Sequence, residues 1–385
     1  MGPALATPAL DDCAGNVAIR YEPGFEAIEA EESADPYTGI EVCSQALAED
    51  PTSAQVQTWL GSAYVDNGES QNALPLLEAG VAAGNPRAQQ VLGDLLILGD
   101  AVTRDAARGT ALLQAAADAG YAPAMLSLGY SYEFGDGVVA DPAMAFQYYS
   151  GAAEQGMARA LYLVGLAYEE GKGVAADDAK AFEAYQGAAD KGLAAAQYIL
   201  GQFVFEGRGT NVDFERAAEL FGLAADQQNR DAFVARSYMQ IEGIGLAADP
   251  EAAVFGFEDG VRRQSAVAAY DLALLSEDGR GVAQDRARAR ELYLSAARAG
   301  DMRAANNLAL MYLNGSGGAA DPAEAFAWLS KAAQAGNAAA MNNVGRLYEL
   351  GLGVAANPVQ ARQWYEAAAQ AGYALASDNL ARLSG

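Results

Sequence analysis

Residues 122–157 read APAMLSLGYSYEFGDGVVADPAMAFQYYSGAAEQGM. Leu128 and Tyr132 stand four apart on either side of the small residue Gly129, the spacing of one helix face. A helix over about 123–134 then ends at Gly135, because a residue without Cβ takes the left-handed conformation that satisfies the last carbonyls. Asp141-Pro142 opens a second helix: the carboxylate accepts from the free amides of the first turn, and proline fits the first helical position. Tyr149 offers that helix a bulky core side chain, Ala152-Ala153 let a neighbour approach closely, and Gly156 ends it.

The same positions recur along the chain. The small residue of the first helix falls at Gly93, Gly129, Gly165, Gly201, Ser237, Ala273, Ala309, Gly345 and Ala381, each 36 residues after the last. Gly-x-Gly pairs open at Gly135, Gly171, Gly207, Gly243, Gly279, Gly315 and Gly351 in the same phase, and a capping row runs from Asp105 through Asp141 to Asn357. A helix pair cannot bury its own apolar face, so stacking of neighbours is what creates a continuous core. The fold class expected is all-α, a right-handed superhelical solenoid of antiparallel helix pairs. Four segments are read: an acidic N-terminal segment with a capping helix over 1–50, a tetratricopeptide-like unit over 51–85, eight 36-residue units over 86–373, and a capping helix over 374–385. The interior unit 230–265 is the least regular, with Arg236-Ser237 in place of the apolar-glycine pair and Gln228 and Gln264 where glycine caps belong.

Composition narrows the function. The 385 residues carry 50 Asp and Glu against 24 Lys and Arg, a formal charge of −26, which repels a phosphate backbone; no nucleic-acid partner is expected. No stretch approaches the ~20 apolar residues of a membrane span, so no membrane insertion is expected. The chain has no histidine, which removes imidazole bases and imidazole metal ligands, and no cofactor or metal site is expected. The Gly-x-Gly pairs do not extend to a dinucleotide or phosphate-loop pattern. Adjacent carboxylates at Glu169-Glu170 and Asp177-Asp178 fall at a helix end and a helix cap, so no catalytic residue is assigned and the chain is read as no enzyme.

Units such as Leu128-Gly129 through Gly135-Asp136-Gly137-Val138 to Asp141, and Leu163-Val164-Gly165 through Tyr168 to Gly171-Lys172-Gly173-Val174, resemble the Sel1-like repeats, relatives of the tetratricopeptide repeats. The resemblance covers roughly 85–385; the unit before it, around Trp59-Leu60-Gly61, stands 32 residues ahead of Gly93 and looks like a plain tetratricopeptide unit. It implies an adaptor in protein assemblies or signalling, holding a partner protein or peptide on a concave face. A periplasmic regulator of a signalling receptor is one form of that function. A structural assembly factor of an envelope or polysaccharide-export complex is the alternative, and a weak hydrolase is the second.

Residues 1–50 hold eleven acidic residues against one basic, Arg20, and are either a solvated tail or a cap. Ile40, Cys43, Ala46 and Leu47 are spaced as one helix face that would cover the open end of the array. Cys43 on that face and Cys13 in the loop before it are read as a disulfide, with two buried thiols as the bland reading. The segment also resembles the start of bacterial exported proteins of this kind, which implies a periplasmic or exported location, cytoplasm being the alternative. Met1 to Thr7 hold no basic segment followed by a long apolar run, so no intact signal peptide is read; a trimmed chain would look the same.

Site residues follow from carrying over the tetratricopeptide geometry, in which the concave surface is lined six and three positions before the small residue and one, four and five after it. These offsets select Leu126, Tyr130, Glu133 and Phe134; Arg159, Tyr162, Glu169 and Glu170; Tyr198, Gln202, Phe205 and Glu206; Tyr238 and Glu242; Tyr270, Glu277 and Asp278; Arg303, Asn306 and Asn314; and Asn342, Arg346 and Glu349. An aromatic and acidic surface of this kind suits a partner with a basic segment.

Overall fold

The computed structural model describes residues 8–18, 21–22, 35–99 and 102–384. Among them the chain forms twenty-one helices and no strand, and it divides into two compact units, Met1–Asn211 and Val212–Gly385. The first unit holds α1 (Pro8–Val17), α2 (Pro36–Glu49), α3 (Ala54–Asp66), α4 (Ser70–Ala82), α5 (Pro86–Leu98), α6 (Ala106–Asp118), α7 (Ala122–Phe134), α8 (Pro142–Glu154), α9 (Ala158–Glu170), α10 (Asp178–Asp190) and α11 (Ala194–Glu206). The second begins with α12 (Phe214–Asp226), α13 (Arg230–Glu242), α14 (Pro250–Arg262), α15 (Ala266–Asp278) and α16 (Arg286–Arg298). It ends with α17 (Met302–Asn314), α18 (Pro322–Gln334), α19 (Ala338–Leu350), α20 (Pro358–Gln370) and α21 (Ala374–Ser384). Within each unit a helix packs chiefly on its neighbours in sequence.

Local chemistry sets the helix ends. Asp141 accepts from the amides of Ala143 and Met144, and Gly135, at φ 77°, closes α7 by donating its amide to the Ser131 carbonyl. The bulky row of the second helices is the core: Leu113, Tyr149, Tyr185, Phe221, Phe257, Tyr293, Leu329 and Tyr365 are each at most 4% exposed. It also explains the small row of the first helices, since a Cβ on Gly165 would lie 2.6 Å from the Tyr185 ring. In the irregular unit the vacancy is exchanged rather than lost. Gly256 of α14 leaves room for the Ser237 side chain, so α13 and α14 keep the thirteen residues of their counterparts. The second glycine of each Gly-x-Gly packs on the preceding unit: a Cβ on Gly281 would stand 2.6 Å from the Pro250 carbonyl oxygen.

At the N-terminus Cys13 and Cys43 are bonded. Cys13 lies within α1 and not in a loop, because Leu10, Cys13, Ala14 and Val17 form an apolar helix face behind Pro8. That face packs with Ala46 of α2 and with Val56, Trp59 and Leu60 of α3, so the described part of this segment is a cap on the first unit. No described helix is long and apolar enough to cross a membrane.

Candidate functional site

The first helices of successive repeats in the first unit, α5, α7 and α9, present a common face. On it lie two adjoining cavities of about 560 and 720 Å³ that share Asp94, Leu98 and Met157. Arg87 and Gln90 line the first; Leu126, Tyr130, Phe134 and Arg159 line the second. Leu98 and Phe134 are 65% and 67% exposed, unusual for large apolar side chains so close together. Tyr130 is held from two sides, accepting from Arg159 Nε at 2.9 Å and meeting the Tyr149 ring edge-on at 5.6 Å.

The other expected site residues are placed differently. Tyr162 tilts against Tyr185, with ring centroids 5.7 Å apart, and Tyr198 accepts from Gln202 at 2.8 Å; neither lines these two cavities, nor do Phe205 and Glu206. In the second unit Tyr238 is 46% exposed, Glu242 pairs with Arg280 at 3.1 Å, and Tyr270 lies beneath the Arg303 guanidinium at 4.3 Å. Asn306 accepts from Asn343 at 2.9 Å and Asn342 from Asn379 at 2.7 Å, a ladder that ties one repeat to the next. The Glu349 carboxyl is held below its usual range chiefly by its hydrogen bond from Arg382, and the Arg346 charge adds to this. A polar cavity of about 600 Å³ in that unit is lined by Glu277 and Asn314, which the same offsets select, and by Asn307.

The acidic row has a task inside the repeat. Tyr149 donates to Glu133 at 2.6 Å, Tyr185 to Glu169 at 2.7 Å, Tyr293 to Glu277 at 3.1 Å and Tyr365 to Glu349 at 2.7 Å. Where the second helix carries Leu113, Phe221, Phe257 or Leu329, the residue in the glutamate position is Ile97, Phe205, Ile241 or Leu313. Glutamate thus appears in every repeat with a tyrosine to satisfy and in no other, as the cost of burying an unpaired hydroxyl requires. Burial, and then the glutamate's charge, hold the Tyr149 and Tyr185 hydroxyls far above the usual phenol range. Glu169 also takes Arg208 at 2.7 Å, and Glu170 pairs with Lys172.

Four polar residues of the first unit complete the picture. Glu22 is buried against Arg87 at 2.5 Å and accepts from Trp59 Nε1 and Gln55 Nε2, both at 2.7 Å. Arg87 also donates to the Val17 carbonyl at 2.6 Å and to Ser62 Oγ at 3.1 Å. Asp94 accepts from Ser127 at 3.0 Å and from Gln90, and burial pushes its carboxyl up to about 6. Tyr121 is 3% exposed, lines the 560 Å³ cavity, and its hydroxyl has no hydrogen-bond partner among the described residues. A signal for two of them was present: Arg87 and Asp94 stand six before and one after Gly93, the offsets that selected Arg159 and Tyr130. Nothing local marked Glu22, whose partner lies 65 residues away. No group of acidic or cysteine side chains among the described residues is arranged to hold a metal ion.

The Sel1 repeat model matches eight stretches of the chain, 86–121, 122–157, 158–193, 194–229, 232–255, 266–301, 303–337 and 338–373. The match is shortest in the irregular unit. A Sel1 repeat protein from Oxalobacter formigenes is similar at 31% identity and a TM-score of 0.64, with 80% of this chain and 90% of that one covered. The protective antigen c5321 of uropathogenic Escherichia coli strains, described as displaying an SLR fold, is similar at 26% identity and a TM-score of 0.64, with 97% of this chain and 87% of that one covered. No curated protein matches the sequence. With eight matched repeats covering more than half of its length, the chain belongs to the Sel1 repeat family.

Proposed function

We propose that the chain is a non-enzymatic adaptor and that the α5–α7–α9 face of its first unit holds a segment of a partner protein. Sel1 repeat proteins generally mediate protein–protein interaction. The observation that carries the site is the pair of adjoining cavities with Leu98 and Phe134 exposed at their rim. Asp94, the one carboxylate shared by both, favours a segment with a basic side chain, which agrees with the acidic balance of the whole chain. The bonded Cys13 and Cys43 support an oxidising, exported setting for the encounter, such as the bacterial periplasm.

Affinity purification from the native host, compared between the natural chain and a Leu98→Glu, Arg159→Ala variant, tests the reading. Both side chains line the larger cavity, and Leu98 is largely exposed, so the fold is expected to persist. Proteins retained by the natural chain and lost by the variant are the expected result; identical retention would move the surface elsewhere.

A further inference from the structure

From residue 194 onward the repeats fill their joints with a large apolar side chain two positions after the small residue of the first helix, whereas the two repeats from 122 to 193 carry Ser131 and Ala167 there. Phe203, Met239, Leu275, Met311 and Leu347 occupy that position, each at most 4% exposed. Phe203 shows the filled joint: its ring meets Tyr185 edge-on at 5.3 Å and lies beneath the Arg208 guanidinium at 4.1 Å. One repeat earlier the same position is Ala167. The space left there is a cavity of about 310 Å³ lined by Phe134, Phe146, Tyr149, Leu163 and Leu166, with Lys172 in the place of Arg208. Tyr149 meets Tyr130 as Tyr185 meets Tyr162, but among the described residues no ring stands on it where Phe203 stands on Tyr185.

We propose that this joint is a socket for one aromatic side chain of a partner polypeptide, which would lie against Tyr149 and under Lys172 as Phe203 lies against Tyr185 and under Arg208. The proposal rests on the adaptor reading above and names what the partner inserts. The volume stands at the small end of ligand pockets, ~300–1,000 Å³, suited to a single ring and not to a helix. Access is open, since Phe134 is 67% exposed at the rim and the Glu170 and Lys172 side chains at the mouth are 45% and 61% exposed. Glu133 and Glu170 outweigh Lys172 at that mouth, so a cationic residue beside the aromatic one fits the charge. Phe134 also lines the larger cavity, which places the socket next to the proposed partner-binding face.

The test uses the full chain with labelled alanine and leucine methyl groups and two probes, acetyl-Lys-Phe-Lys-amide and acetyl-Lys-Gly-Lys-amide. The Phe peptide should shift the methyl signals of Ala145, Ala167, Leu163 and Leu166 saturably and bind at least tenfold more tightly than the Gly peptide. Ala167→Phe, or Ala167→Met should the ring be too large, should raise the melting temperature and abolish these shifts. Equal response to both peptides, unchanged Phe-peptide binding in the filled variants, or a lower melting temperature in both would overturn the socket. Leu98 and Arg159 do not line it, so the host purification experiment and this one fail independently.

Discussion

Arg87 holds together elements far apart in the chain: α3 through Ser62, the end of α1 through Val17, and Glu22 through a pair whose side chains are 6% and 3% exposed. Arg87→Ala removes the buried guanidinium that faces the Glu22 carboxylate and should cost about 3–5 kcal/mol, read as a lower urea midpoint by tryptophan fluorescence, Trp59 being bonded to Glu22. Arg87→Met combined with Glu22→Gln removes both charges and should recover most of that loss. Asp94 makes a prediction of opposite sense. Its carboxyl is raised from 3.8 to about 6, so the fold favours the protonated acid. That contribution is fully present below the unfolded value and is lost as pH rises through 6. Asp94→Asn should therefore match the natural chain near pH 4 and exceed it by ~2 kcal/mol at pH 7, checked by denaturation at both values.

At the scale of the helix pair, the tyrosine–glutamate match is a rule that can be broken and restored. Glu277→Ile or Tyr293→Phe alone leaves a polar group poorly satisfied, whereas both together reproduce the Ile241 and Phe257 combination found one repeat earlier. A double-mutant cycle in thermal denaturation should show a coupling of ~1 kcal/mol or more, the double variant melting above either single one. The turns offer a second check. Gln228 and Gln264 are exposed and hold φ of 64° and 65°, a conformation that costs a side chain with Cβ ~1 kcal/mol, while glycine occupies it elsewhere in the array. Gln228→Gly and Gln264→Gly should each raise stability by up to ~1 kcal/mol, most of it appearing in the melting of the second unit.

For the molecule as a whole, the cap at the first unit depends on the Cys13–Cys43 bond across a separation of 30 residues. Constraining an unfolded loop of that length contributes ~3 kcal/mol, so reduction should lower the melting temperature of the first unit and leave the second nearly unchanged. Differential scanning calorimetry with and without reductant reads this directly. The described part of the acidic N-terminal segment is not simply a solvated tail: Glu22 is used inside the fold, and Tyr21 packs on core residues of both the α6–α7 and α8–α9 joints.

The helix pairs, their length, their caps and the small and bulky rows were all readable from residues 122–157 and their echoes. The forces that set them act within a few residues: a carboxylate on the next turn's amides, a glycine with positive φ, a proline at a first position. The offsets that pick out Tyr130, Phe134 and Arg159 were readable for the same reason, because the repeat fixes which face of α7 and α9 each residue occupies. What each acidic or aromatic side chain meets was not. Glu133 and Glu169 read as free charges until Tyr149 and Tyr185 were placed across the pair, and nothing in the sequence marked Asp94 as a carboxyl raised by burial. The small residue at Ala167 stands out in its row, but the space beside it appears only against Tyr149 of the preceding repeat, and the role of Glu22 only against Arg87. Those assignments depend on burial and pairing between residues 16 to 65 positions apart, which local sequence does not encode and the packed array decides.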